Sequence, residues 1–342
     1  MAYTAINKHT DYFNTVLYTG NGSARTITTG LTSTDFIWNK RRDNTGNHMV
    51  YDVIRGVNKD INTDSNEAEE TQTGTVTAFG SNSYTLGTHG GTNANGETRV
   101  SWNWAAGGTG SSNTDGSINT TSTSVNTTAG FSISKYTGNN TAGATVGHGL
   151  GVAPEVVIFK RLDTTGSWIS KFNSNTDGYM YLHANDAMSS SSGWLPTSST
   201  TFTLANQWTA YNASGGTYIA YCFAPKTGFS KFGEYTGNNN ADGTFVYTGF
   251  KPAFVLVKPT NYADNWHIID NKRDTYNTMD SHLFANLNIA ENTSSSYNTD
   301  FLSNGFKPRN TNSAINGSYN YIYMAFAEAP LVGSNNIPCT AR

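Results

Sequence analysis

One motif occurs three times along the chain and limits what it can fold into. Tyr18-Thr19-Gly20-Asn21-Gly22 returns as Tyr136-Thr137-Gly138-Asn139-Asn140 and as Tyr235-Thr236-Gly237-Asn238-Asn239. A second signature accompanies it: an aromatic and aliphatic run read as Arg99-Val100-Ser101-Trp102-Asn103-Trp104, Tyr218-Ile219-Ala220-Tyr221-Cys222-Phe223 and Tyr321-Ile322-Tyr323-Met324-Ala325-Phe326. The stretch 215–235 holds the end of one copy and the start of the next. Copies of about 100 residues, the size of an ordinary domain, point to three repeated units.

The interior of each copy keeps register. Asp35-Phe36-Ile37-Trp38 aligns with Glu155-Val156-Val157-Ile158 and Ala253-Phe254-Val255-Leu256, and Pro154 and Pro252 open the later two, where a strand start tolerates proline. A further strand begins at His48, Trp168 and Trp266, and a shorter one contains Tyr84, Phe202 and Phe306. Strands separated by Asn/Gly turns, without useful 3.6-residue periodicity, predict an all-β protein of three tandem antiparallel β-sandwich or jelly-roll-like modules. The boundaries read as a lead-in at 1–12, modules at 13–105, 131–225 and 226–327, and a tail at 328–342. A weak helical pattern covers 278–290.

Residues 106–130 are almost wholly Gly, Ser, Thr and Asn, the composition of a flexible linker without a core. The modules are therefore expected in line, with the directly joined second and third forming the tighter pair.

Composition narrows the function. Charged residues are 13% against about 25% in ordinary soluble domains, and the net charge is −3, so no basic footprint for nucleic acid exists. No apolar run is long enough to insert into a membrane and no secretory leader opens the chain. Synthesis in a cytoplasm follows, with assembly into a particle as the route outward. Cys222 and Cys339 lie far apart outside any metal spacing, and Cys222 reads as a small core filler.

Several runs resemble a known family: 130–161, GFSISKYTGNNTAGATVGHGLGVAPEVVIFKR; the Gly/Ser/Thr/Asn segment before it; the ending Asn320-Tyr321-Ile322-Tyr323-Met324-Ala325-Phe326-Ala327-Glu328-Ala329-Pro330; and the tail Ile337-Pro338-Cys339-Thr340-Ala341-Arg342. They resemble a repeat module of tail-fibre and other structural proteins of marine tailed phages, including cyanophages, often beside concanavalin/laminin-G-like domains. The resemblance spans 13–342 and implies a virion protein. Module one departs from it at Ser33-Thr34, where the later copies carry proline, and at Trp102-Asn103-Trp104.

Catalytic patterns are weak. Asp52 and Asp270 are equivalent, but module two has Phe172 or Asn173 there, which reads as structure rather than as a glycosidase pair. There is no Gly-x-Ser-x-Gly elbow, and the histidines show no HExxH spacing. The glycines around His148 lack the Lys-Ser/Thr of a phosphate loop, and 60–67 resembles a calcium loop without its glycine or its last glutamate. No catalytic residue, metal ligand or cofactor is therefore assigned. What remains is aromatic richness, with 19 Tyr, 17 Phe and 7 Trp. Most fall on strands and read as core. Trp194, Trp208, Tyr211, Tyr262 and Tyr297 fall in polar loops and are the candidate ligand-binding residues, suited to a sugar face or a protein interface.

These readings converge on a non-enzymatic virion protein of the tail apparatus: a fibre or host-attachment component with glycan-binding capacity, partnered by other virion proteins and a host surface receptor or polysaccharide. A homo-oligomer is expected, a trimer where the protein is a fibre. A capsid decoration protein and a tail depolymerase are the alternatives.

Overall fold

The structure, a computed structural model, describes residues 4–172, 178–191 and 194–332. It is built almost entirely of antiparallel strands, and three large sheets share one strand order. The opening strand (Phe13–Thr19, Phe131–Thr137 or Ser230–Thr236) pairs with the closing aromatic strand (Thr98–Trp104, Thr217–Phe223 or Asn320–Pro330). The closing strand also pairs with the second strand (Phe36–Arg41, Val156–Arg161 or Phe250–Pro259), which lies in the sheet centre. Beyond it come Met49–Asp52, Ile169–Phe172 or His267–Asp270, then Lys59–Asn62, Gly178–Tyr181 or Ser281–Phe284, and a two-residue rim strand. A small sheet, built in module one from Arg25–Thr28, Ser83–Leu86 and Val76–Phe79, covers the outer face of each large one.

Successive side chains of a strand point to opposite faces. The second strands are apolar on both because both faces are buried. Phe36 and Trp38, Val156 and Ile158, and Phe254 and Leu256 all join one core shared by the three large sheets. Their neighbours Ile37, Val157 and Phe159, and Val255 and Val257 fill separate outer cores under the small sheets.

The three modules thus pack around a common centre, and the in-line arrangement is corrected. Contacts run in a closed cycle. Glu69 N donates to Leu162 O at 3.0 Å, Met188 N to Thr260 O at 2.7 Å, and Glu291 N to Arg42 O at 2.8 Å. The second and third modules are no more tightly joined by these bonds than the other pairs.

The linker reading of 106–130 is corrected as well. Ser122–Asn126 forms an edge strand on Phe131–Thr137, and Ile118, buried, bridges to Val146. The hydroxyls that suggested flexibility are internal partners: Ser124 Oγ donates to Ala106 O at 2.6 Å, and Thr123 Oγ1 lies 3.0 Å from Ser134 Oγ. The weak helical pattern at 278–290 gives way to the strand Ser281–Phe284.

The repeated tyrosine motif has a common function in all copies. Tyr18, Tyr136 and Tyr235 donate their hydroxyls to Thr92 O, Tyr211 O and Ile315 O. Asn93, Asn212 and Asn316, all buried, accept through Oδ1 from the amides of Asn21, Asn139 and Asn238. The intervening glycine permits this approach. A Cβ at Gly138 would stand 2.4 Å from Ala213 O, and one at Gly20 2.1 Å from Ala94 O. Because the obstacle is backbone, little can yield. Gly138→Ala is expected to cost about 1–3 kcal/mol, and an unchanged urea midpoint would refute this account of the motif.

Candidate functional site

Three sequence-selected aromatics meet at one end of module two. Trp194 and Trp208 both pack on Tyr179, with centroids 5.4 and 4.9 Å away, and Tyr211 touches both tryptophans. Trp194 and Tyr211 are 3% and 0% exposed, so they are the base of this cluster and not its contact surface. Trp194 Nε1 donates to Gly178 O at 2.7 Å, and Tyr211 Oη donates to Asn206 Oδ1 at 2.6 Å, which also accepts from Trp208 N. Burial pushes the Tyr211 phenol up to about 12, keeping it a neutral donor. Only Trp208 and Tyr179 of this cluster remain half-buried, and Trp208 follows the exposed Asn206 and Gln207 in the chain. Tyr179 was missed because it lies in the polar, variable stretch 173–199.

The other two candidates lie in module three and do not join this cluster. Tyr262 is 37% exposed and stacks flat on Tyr319, with centroids 4.4 Å apart and planes at 19°. Tyr297 packs on His267, His282 and Phe284 instead.

Beneath Tyr297 the two imidazoles meet, with 3.3 Å between their Nδ1 atoms, and both rings are buried. Burial, then Lys258, lowers His267 to about 3, and burial also drives His282 well below its ordinary value. Both are neutral in the fold and titrate near 6.5 once unfolded. They contribute full stability above about pH 6.5, and this is lost as pH falls towards the folded values. The slope is about 1.4 kcal/mol per pH unit for each histidine. His267→Phe/His282→Phe is expected to flatten the acid limb of stability against pH, and an equally steep limb would overturn the assignment.

The acids weighed as a glycosidase pair sit between modules. Asp52 Oδ2 lies 2.5 Å from Arg55 Nε and accepts 2.7 Å from the Tyr221 hydroxyl of module two. Asp270 Oδ2 lies 2.5 Å from Arg273 Nε and accepts 2.9 Å from Trp102 Nε1 of module one. These carboxylates and guanidiniums have 0% side-chain exposure. Glu69 and Glu291 add second carboxylates, 3.5 and 3.2 Å from the arginines. In the third seam the corresponding residues are Phe172, Met188 and Met324, which are packed in or against the shared core. The carboxylates and the ring that bonds to them are replaced there by apolar side chains, and the position of the arginines, Asn175, lies outside the described residues.

Equivalent lysines sit on the three second strands, and two of them reach across a seam. Lys40, Lys160 and Lys258 are buried and lowered to about 8 by burial. Lys40 Nζ donates 2.7 Å to Ile289 O of module three, and Lys160 Nζ donates 3.4 Å to Asn66 O of module one.

Among the described residues no group of three or more His, Cys, Asp or Glu side chains could hold a metal. In the calcium-like stretch, Asp60 belongs to the strand Lys59–Asn62 and Asp64 accepts from His48 N. Cys222 is a free, buried thiol, whereas Cys339 lies outside the described residues. No helix among them is long and apolar enough to cross a membrane.

No curated protein matches the chain, and no solved structure does. One family model matches residues 8–330, which is nearly the whole fold including all three large sheets. The chain belongs to the family described as Domain of unknown function (DUF7483).

Proposed function

We propose that this chain is a non-enzymatic virion protein of the tail apparatus, a fibre or host-attachment component that binds surface glycans. The observation that carries the reading is the use of its repeated carboxylates. Asp52 and Asp270 are enclosed in buried ion pairs and accept hydrogen bonds from neighbouring modules, whereas the half-buried ring of Trp208 follows exposed Asn206 and Gln207 in the chain and packs on half-buried Tyr179. Aromatic rings flanked by Asn and Gln suit a sugar, which offers an apolar face and hydroxyls together. The phage-module resemblance supports the particle context. Several copies, a trimer in a fibre, convert weak single contacts into avidity.

Two measurements test it. Cryo-electron microscopy of the particle should place the protein on the tail, and a capsid position would replace this reading with a decoration protein. Purified protein should bind host envelope polysaccharide without producing new reducing ends. Release of reducing ends would establish a depolymerase instead.

A further inference from the structure

An open groove of about 360 Å³ lies where modules two and three meet, outside the aromatic cluster above. That volume falls in the range of small-ligand sites, about 300–1,000 Å³. Its lining includes Glu155 and Pro225 from module two and Lys231, Tyr247 and Thr248 from module three.

Comparison within the chain shows why the carboxylate is available. Glu155 corresponds to Asp35 of module one, whose Oδ2 accepts from Ala106 N at 2.7 Å and Gly107 N at 2.8 Å as the chain leaves that module. The chain leaves module two through Ala224-Pro225, and proline has no N–H to give. Glu155 is half-buried, and its carboxylate has no hydrogen bond or ion pair among the described residues. Burial raises its pKa, and Lys231 acts against that rise. Lys231 Nζ gives one bond to Tyr247 O at 2.8 Å and stands 5.1 Å from the centre of the Tyr247 ring. An ammonium has three donors, so two remain. Tyr247 is 47% exposed.

We propose that this groove binds one pyranose ring of a polysaccharide. Vicinal hydroxyls donate to the Glu155 carboxylate and accept from Lys231, and the apolar face of the sugar lies on Tyr247. A lone carboxylate beside an ammonium orients hydroxyls, whereas glycoside hydrolysis uses two carboxyls across the bond, so the groove holds its ligand unchanged. Only the identification of the polysaccharide as the host's rests on the adhesive reading above.

Saturation-transfer NMR on the full chain, with the methyl α-glycosides of glucose, galactose, mannose and N-acetylglucosamine as probes, tests the site. At least one probe should receive saturation on its ring protons. Its affinity should fall about tenfold or more in Glu155→Ala and in Tyr247→Ala, fall less in Glu155→Gln, and stay unchanged in Val57→Ala, an exposed position of module one outside the groove. Wild-type melting temperatures in the variants would show that folding is not the cause. No saturation with any probe, or saturation that survives Glu155→Ala and Tyr247→Ala, overturns the groove. Glycoside binding without attachment of the protein to host cells would leave the groove standing and remove the host-attachment reading.

Discussion

Asp52→Ala is expected to destabilise the protein by about 3–5 kcal/mol, because it leaves Arg55 charged and without its partner inside the fold. Both side chains have 0% exposure, so water cannot replace the lost carboxylate. Glu69, 3.5 Å from the guanidinium, is too distant to take over the contact made at 2.5 Å. The Tyr221 hydroxyl loses its acceptor in the same step. Urea unfolding gives the measurement, and a loss below about 1 kcal/mol would show that the pair is dispensable. The third seam supplies a second arm. Asp52→Phe, Arg55→Leu and Tyr221→Met together replace the buried pair and its hydroxyl partner by apolar side chains, the first and last as at Phe172 and Met324 of the third seam, and should recover more than half of the loss. Buried ion pairs can be exchanged for apolar side chains at little cost when the whole set changes. A triple variant as unstable as Asp52→Ala would contradict the proposed equivalence of the seams.

Trp102→Ala is expected to cost a similar 3–5 kcal/mol by a different route, cavity formation in the shared core. Trp102 is fully buried, lies 5.7 Å from the Trp38 centroid and 5.9 Å from that of Phe254, and has Arg273 5.7 Å from its ring. Trp102→Phe separates the contributions. It keeps much of the volume but removes the bond to Asp270, so its smaller loss estimates the hydrogen bond, about 1.5–3 kcal/mol for one to a charged acceptor. If both variants lost the same stability, packing would not be the main role of the ring. Because the shared core contains residues of all modules, one cooperative transition is expected for the wild type.

Much of the fold was legible because it depends on local rules written three times. The tyrosine motif, the closing strands and the equivalence of Phe36, Val156 and Phe254 follow from strand alternation and turn chemistry, and the register confirms them. The meeting of the modules was not legible. A strand buried on both faces has one apolar pattern whether its second face meets a small sheet or a neighbouring copy. Residues 106–130 misled for a related reason: Thr123 and Ser124 look solvated by composition but are satisfied inside by Ser134 and Ala106. The site was half legible. Loop position marked Trp208 and Tyr262 as accessible but also selected Trp194 and Tyr211, which their own loops bury. Glu155 carried no signal of its own, because its availability comes from a proline far along the chain.

A ring assembled from three separate identical chains must repeat every substitution three times. Here one polypeptide supplies all the thirds, so each can drift independently while the whole stays closed. The apolar seam of Phe172 and Met324, the added edge strand at Ser122–Asn126 and the groove at Glu155 are each confined to one sector. Such a body can show a different face in every direction around its axis, and each face can change without disturbing the others.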